Sequence, residues 1–167
     1  MKKIEETKRA PEVTVSVLSI GPLEGDHSAL SGIIAGAEWP LCPSSRWTLQ
    51  SCANLDSGML FLKNHLVPLV ICEGDLGAAT WRDFWAQAAT LPDPPFLIVT
   101  SRLADEYLWA EALNLGAYDV LAKPFQPEEV VRALSQAWLH RNYRRGAVPS
   151  LSAIGHPYKP STSGVAV

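Results

Sequence analysis

Paired cysteines are missing from this sequence. Cys42, Cys52 and Cys72 form an odd set with no close pair, which fits a reducing compartment where thiols pack as small apolar groups. CxxC and HxxxH spacings are also absent, so no zinc centre is expected. Long apolar runs are lacking too: none approaches the ~20 residues of a membrane-spanning helix. Met1-Lys2-Lys3 begins like a secretory leader, but Glu5 and Glu6 fall where its apolar stretch would start. A cytoplasmic protein without a membrane partner is the expectation. Charge of one sign is scarce as well, with 14 Lys and Arg against 17 Asp and Glu and a formal net charge of -3. That balance does not suggest nucleic acid as a partner and leaves electrostatic recognition to local clusters. What is present is a 167-residue chain with 47% hydrophobic residues, enough for one domain with a substantial core.

Hydrophobic periodicity switches repeatedly between strand and helix. Val13, Val15 and Val17 alternate with Thr14 and Ser16 up to Ile20, a strand closed by Gly21-Pro22. Asp26 is placed to cap a helix carrying Leu30, Ile33, Ile34 and Ala37 on one face. Trp47 to Cys52 is a weaker second strand, and Leu55, Met59, Leu62 and Leu66 recur at helical spacing. Val67 to Cys72 is nearly continuous in apolar residues, as expected for a strand buried on both faces. Thr80-Trp81-Arg82-Asp83 approximates a capping box for a helix running to about Leu91. Phe96 to Thr100 is the fourth strand, and a helix from about Ala104 to Leu115 ends at Gly116. Tyr118 to Ala122 is the fifth strand, and Pro127, Glu128 and Glu129 open the last helix. Five βα units with short links imply an α/β fold: a three-layer, doubly wound, five-stranded parallel sheet. Residues 1–11 read as a flexible leader, 12–144 as the domain, and 145–167, rich in Gly, Pro and Ser, as a disordered tail.

In such sheets the functional edge lies at the carboxyl ends of the strands. Gly21-Pro22, Glu73, Thr100-Ser101 and Lys123-Pro124 fall there. Two of these segments, Pro95 to Ser101 and Leu115 to Phe125 with its Gly116-Ala117 and Lys123-Pro124-Phe125, resemble the response-regulator receiver domain over roughly residues 13–140. The resemblance implies a (βα)5 flavodoxin-like fold with strand order 2-1-3-4-5 and a role in two-component signalling. It further implies that Thr100 and Lys123 correspond to the groups that meet the phosphoryl group, and that the Lys123-Pro124 bond is of a kind often cis in the family.

The departures bear directly on function. Gly21 and Pro22 replace the family's acidic metal-binding pair, and Glu73 replaces the phosphate-accepting aspartate. Mg2+ favours octahedral oxygen ligands with carboxylate help, so phosphorylation by the usual route is not expected and neither is a bound metal. Glu73 then either imitates a phosphoaspartate or forms a structural ion pair. Asp75 shares strand parity with Glu73 and is the alternative phosphoacceptor, although a loop aspartate after Gly74 reads more simply as a turn residue. Glu24 and Asp26 are read as a loop residue and a helix cap, with folding back towards the missing pair as the alternative.

Val120 occupies the place of the family's aromatic switch and has little rotational range. Tyr118, expected on the same face, is either its substitute or plain packing. Among Trp81, Trp85, Trp109 and Trp138, Trp109 and Trp138 could form a dimerisation or partner face, with core packing as the bland reading. Arg141, Arg144 and Arg145 are read as complementing the dipole of the last helix. The functional expectation is a stand-alone, non-enzymatic receiver-like protein that needs no cofactor. It docks to a signalling protein, a histidine kinase or an output protein, or to itself as a homodimer. A flavodoxin-like cofactor binder shares the sheet order, but Gly21-Pro22-Leu23-Glu24-Gly25-Asp26 offers acidic groups where a phosphate-cradling loop is required.

Overall fold

Alternation along the first strand decides which helices lie on which side of the sheet. In the computed structural model, which describes residues 12–146, the chain runs β1 (Val13–Ile20), α1 (Glu24–Gly36), β2 (Ser45–Cys52), α2 (Leu55–Asn64), β3 (Leu69–Glu73), α3 (Trp81–Ala88), β4 (Phe96–Ser101), α4 (Glu106–Leu115), β5 (Asp119–Ala122) and α5 (Pro127–Arg144). The leader at 1–11 and the tail beyond residue 146 lie outside the described residues. All strand pairs are parallel and the order is β2-β1-β3-β4-β5, the topology expected from the sequence. Val15 and Val17 of β1 face one way, with Leu69, Ile71 and Ile98, onto Leu30 and Ile34 of α1 and Val130 and Leu134 of α5. Leu18 and Ile20 face the other way, with Val70, Cys72 and Val99, onto Met59 of α2, Phe84 of α3 and Ala112 of α4. The sheet is therefore buried on both faces, which accounts for the unbroken apolar run at β3.

The helix ends follow local chemistry. Asn54 and Ser57 form a reciprocal capping box at α2, and Thr80 and Asp83 form one at α3. Gly116 ends α4 at φ 105, a conformation that strains any residue with a Cβ, and Pro127 stands at the start of α5. Helix α3 stops at Ala88 and not near Leu91, because Thr90 and Leu91 turn back to the carbonyls of Gln87 and Ala88. Leu66 does not belong to the α2 face: it lies past the helix end at Asn64 and is 88% exposed.

Three further expectations are corrected. Asp26 is not the α1 cap; Leu23 is, and Asp26 sits in the first helical turn with its carboxylate turned to another partner. Tyr118 and Val120 do not share a face. Tyr118 precedes β5, so strand alternation does not reach it; it packs against Phe96 and His140, whereas Val120 is buried on the α2–α3–α4 side. Arg141 does more than offset a helix dipole: it is 4% exposed, pairs with Asp93 at 2.8 Å and donates to the Pro94 carbonyl at 2.7 Å. Trp81 is a core residue, Trp138 is half-buried against the α1–α5 side, and Trp109 is 37% exposed.

Candidate functional site

The parallel register brings the chemistry to one edge. Glu73, the last residue of β3, pairs with Thr100 of β4, and Thr100 in turn pairs with Leu121 of β5. Two residues past Leu121, the Lys123 amide donates to the Ser101 carbonyl at 3.0 Å, and the Lys123-Pro124 bond is cis. Glu73, Thr100 and Lys123 therefore meet as the sequence implied. The Thr100 hydroxyl donates to Glu73 Oε2 at 3.2 Å, and the Lys123 ammonium forms an ion pair with the same oxygen.

Asp26, expected as a helix cap, is the third partner of this cluster. Asp26 Oδ2 accepts a hydrogen bond from Lys123 Nζ at 2.7 Å, across 97 residues of chain. The side chains of Lys123, Glu73 and Asp26 are 6%, 14% and 29% exposed, so the ammonium is nearly enclosed between two carboxylates. Burial works to lower the pKa of Lys123, but the hydrogen bonds and charges of Asp26 and Glu73 outweigh it and hold the group above the ordinary lysine range. One ammonium against two carboxylates leaves a single negative charge at the cluster. Asp26 was legible in part, as an acidic residue in the first turn of a helix that starts beside the sheet edge.

Gly21 is where the resemblance implies an acidic residue, and the packing shows what its replacement permits. A Cβ at Gly21 would lie 3.2 Å from the Glu73 Cβ, so the bare backbone lets the longer glutamate sit against β1. The loop is tied down by His27, which sequence reasoning missed. Its Nε2–H donates to the Gly21 carbonyl at 2.9 Å, and its Nδ1 bonds the Ser19 hydroxyl at 2.8 Å. The available signal was spacing: His27 falls in register with Leu30 and Ile34 on the buried face of α1. Pro22 is exposed and, with Leu23, Asp75, Ser101 and Arg102, borders an open cleft of about 360 Å3 over Glu73 and Lys123. Asp75 is exposed and its carboxylate accepts from the Gly77 amide at 2.8 Å, the geometry of a turn residue.

A receiver-type magnesium site does not fit these residues. Gly21 and Pro22 present no side-chain oxygen, and the Lys123 ammonium already lies between Glu73 and Asp26. A divalent ion needs several oxygen ligands around it, not a fixed cation within hydrogen-bond distance. Among the described residues no cluster of three or more His, Cys, Asp or Glu side chains converges in metal-binding geometry.

The doubly wound parallel α/β fold has counterparts among solved structures. One is the signal receiver domain of an HD domain-containing protein from Pseudomonas fluorescens Pf-5, with 22% identity over 80% of this chain and 93% of that chain, at a TM-score of 0.68. Chemotaxis response regulator CheY4 of Vibrio cholerae superposes with 14% identity over 75% of this chain and 99% of that chain, TM-score 0.65. A CheY-like response regulator receiver domain protein from Methanospirillum hungatei JF-1 does so with 14% identity over 78% and 98%, TM-score 0.66. No protein-family profile matches the chain, and no curated protein matches it in sequence. The fold is the receiver fold.

Proposed function

We propose that this chain is a receiver-like signalling module of the two-component type that acts by docking to another protein, without Mg2+-dependent phosphoryl transfer. The observation that carries this reading is the Lys123 ammonium held between Glu73 and Asp26, with Thr100 hydrogen-bonded to the same Glu73 oxygen. Phosphoryl transfer to a carboxylate depends on cationic neutralisation of the charge that builds up on the transferring oxygens. Here the resident cation is already satisfied, and Glu73 is engaged by two donors. Glu73 instead holds Thr100 and Lys123 together, as a phosphoaspartate would, so the domain presents one fixed docking state. In this reading it has no enzymatic activity, works in the cytoplasm, and meets a histidine kinase, an output protein or a second copy of itself. Among the described residues no helix is long and apolar enough to cross a membrane.

Two measurements on the full chain test the reading. Incubation with acetyl phosphate and Mg2+ leaves the intact mass unchanged, and a docking partner binds wild type more tightly than Glu73→Ala or Lys123→Ala. A stoichiometric phosphate adduct that disappears in Asp75→Asn overturns the proposal in favour of Asp75 as acceptor. Equal partner affinity for all three proteins makes the cluster structural and moves recognition to another surface.

A further inference from the structure

At the opposite end of the sheet from Glu73 and Lys123 lies a cleft of about 610 Å3, where Phe96 opens β4 and Tyr118 precedes β5. Trp85, Phe96, Tyr118, Arg141, Arg144 and Arg145 are among its lining residues. Its volume falls within the ~300–1,000 Å3 of small-molecule sites. The aromatic walls are held in place: the Phe96 and Tyr118 ring centroids are 5.3 Å apart, and Trp85 Nε1–H donates to the Leu115 carbonyl at 2.7 Å.

The charges around the cleft do not balance. Arg141 and Arg145 share one carboxylate, that of Asp93. Arg144 meets no carboxylate within 4.0 Å among the described residues, and its guanidinium lies 5.6 Å from the Phe96 ring centroid. Arg141 is 4% exposed and its Nε is buried without a hydrogen-bond partner. Three guanidiniums against one carboxylate leave two positive charges. The carbonyl ends of α4 and α5 open on the same side and offset roughly half a charge each. Close to one positive charge remains beyond what helix-dipole compensation consumes.

We propose that this cleft binds a small aromatic anion carrying a single negative charge, as a carboxylate or a phosphodiester. The ring stacks on the Trp85–Phe96–Tyr118 walls, and the anionic group takes the guanidinium fork of Arg144. This site is independent of the Glu73–Lys123 cluster and does not rest on the function proposed for it.

The test is a titration of the full chain followed by 15N NMR at the Trp85 indole N–H. Two ring-bearing monoanions, 3′,5′-cyclic adenosine monophosphate and indole-3-acetate, distinguish the phosphodiester from the carboxylate source. Adenosine supplies a ring without charge, and acetate a charge without a ring. The proposal expects a saturable shift with at least one ring-bearing anion and none with either fragment at equal concentration. Arg144 is exposed, so Arg144→Gln is expected to fold normally and to weaken binding at least tenfold. The proposal is overturned if neither anion produces a saturable shift up to about 10 mM, well above the mM range of weak ligands. It is equally overturned if a fragment binds as well as the whole, or if Arg144→Gln binds like wild type.

Discussion

Replacing Lys123 with methionine keeps most of the side-chain volume and removes the ammonium from between Asp26 and Glu73. Both carboxylates then face each other at low exposure without a counter-charge. Removing one partner from a buried pair costs about 3–5 kcal/mol, and the partial exposure of Asp26 places this case at the lower end, near 3 kcal/mol. With a urea m-value of roughly 1.5 kcal/mol per molar, that lowers the midpoint by about 2 M. The alkaline limb gives a second reading. Because Lys123 is raised in the fold, its contribution is complete below the ordinary lysine range and is lost as pH climbs through the raised value. The gap between wild type and Lys123→Met therefore holds from neutral pH upwards and then closes. Urea denaturation from neutral to alkaline pH measures both effects. A variant midpoint equal to that of wild type at neutral pH, or a gap that persists unchanged through the alkaline limb, refutes the reasoning.

Other perturbations test the neighbouring elements. Thr100→Val removes the hydroxyl that donates to Glu73 and should cost about 1 kcal/mol; through the shared Glu73, its effect should not add to that of Lys123→Met in a double-mutant cycle. Asp119 is 7% exposed, and burial, aided by the charge of Glu129, raises its pKa despite the Val120 amide and Arg132. A raised carboxyl contributes stability at low pH that is lost as pH climbs from the ordinary aspartate range through the raised value. Asp119→Asn keeps an acceptor for the Val120 amide and should stabilise the protein at pH 7 by about 0.5–1 kcal/mol, with the gain absent in urea titrations in strong acid. Gly116→Ala places a Cβ at φ 105 and 3.2 Å from Trp85 Nε1. It should cost at least ~1–2 kcal/mol and perturb the Trp85 indole resonance.

The fold was legible because the strand and helix periods here are clean. The two-sided apolar run at β3, the Pro127 start of α5 and the Gly116 stop of α4 each state their role locally. Boundaries failed where short-range backbone geometry decided them, as at Leu66 past the α2 end and at Leu91 in the turn after α3. Glu73, Thr100 and Lys123 were legible because each stands just at or past a strand end, where topology alone brings it to the same edge. Asp26 was read as a cap because local sequence favours that role, and only the approach of the β5–α5 loop turns its carboxylate to Lys123. The side on which Tyr118 packs depended on where β5 begins, one residue later than the apolar pattern suggests. Arg141 escaped in the same way, since nothing near it in sequence announces Asp93 or the Pro94 carbonyl.

Whether this edge has given up Mg2+-dependent phosphoryl chemistry is tested most directly by 19F NMR of the wild-type chain with beryllofluoride and Mg2+. The account predicts the spectrum of free beryllofluoride alone, at every Mg2+ concentration. A saturable, Mg2+-dependent resonance of protein-bound beryllofluoride at the Glu73–Lys123 edge would contradict it.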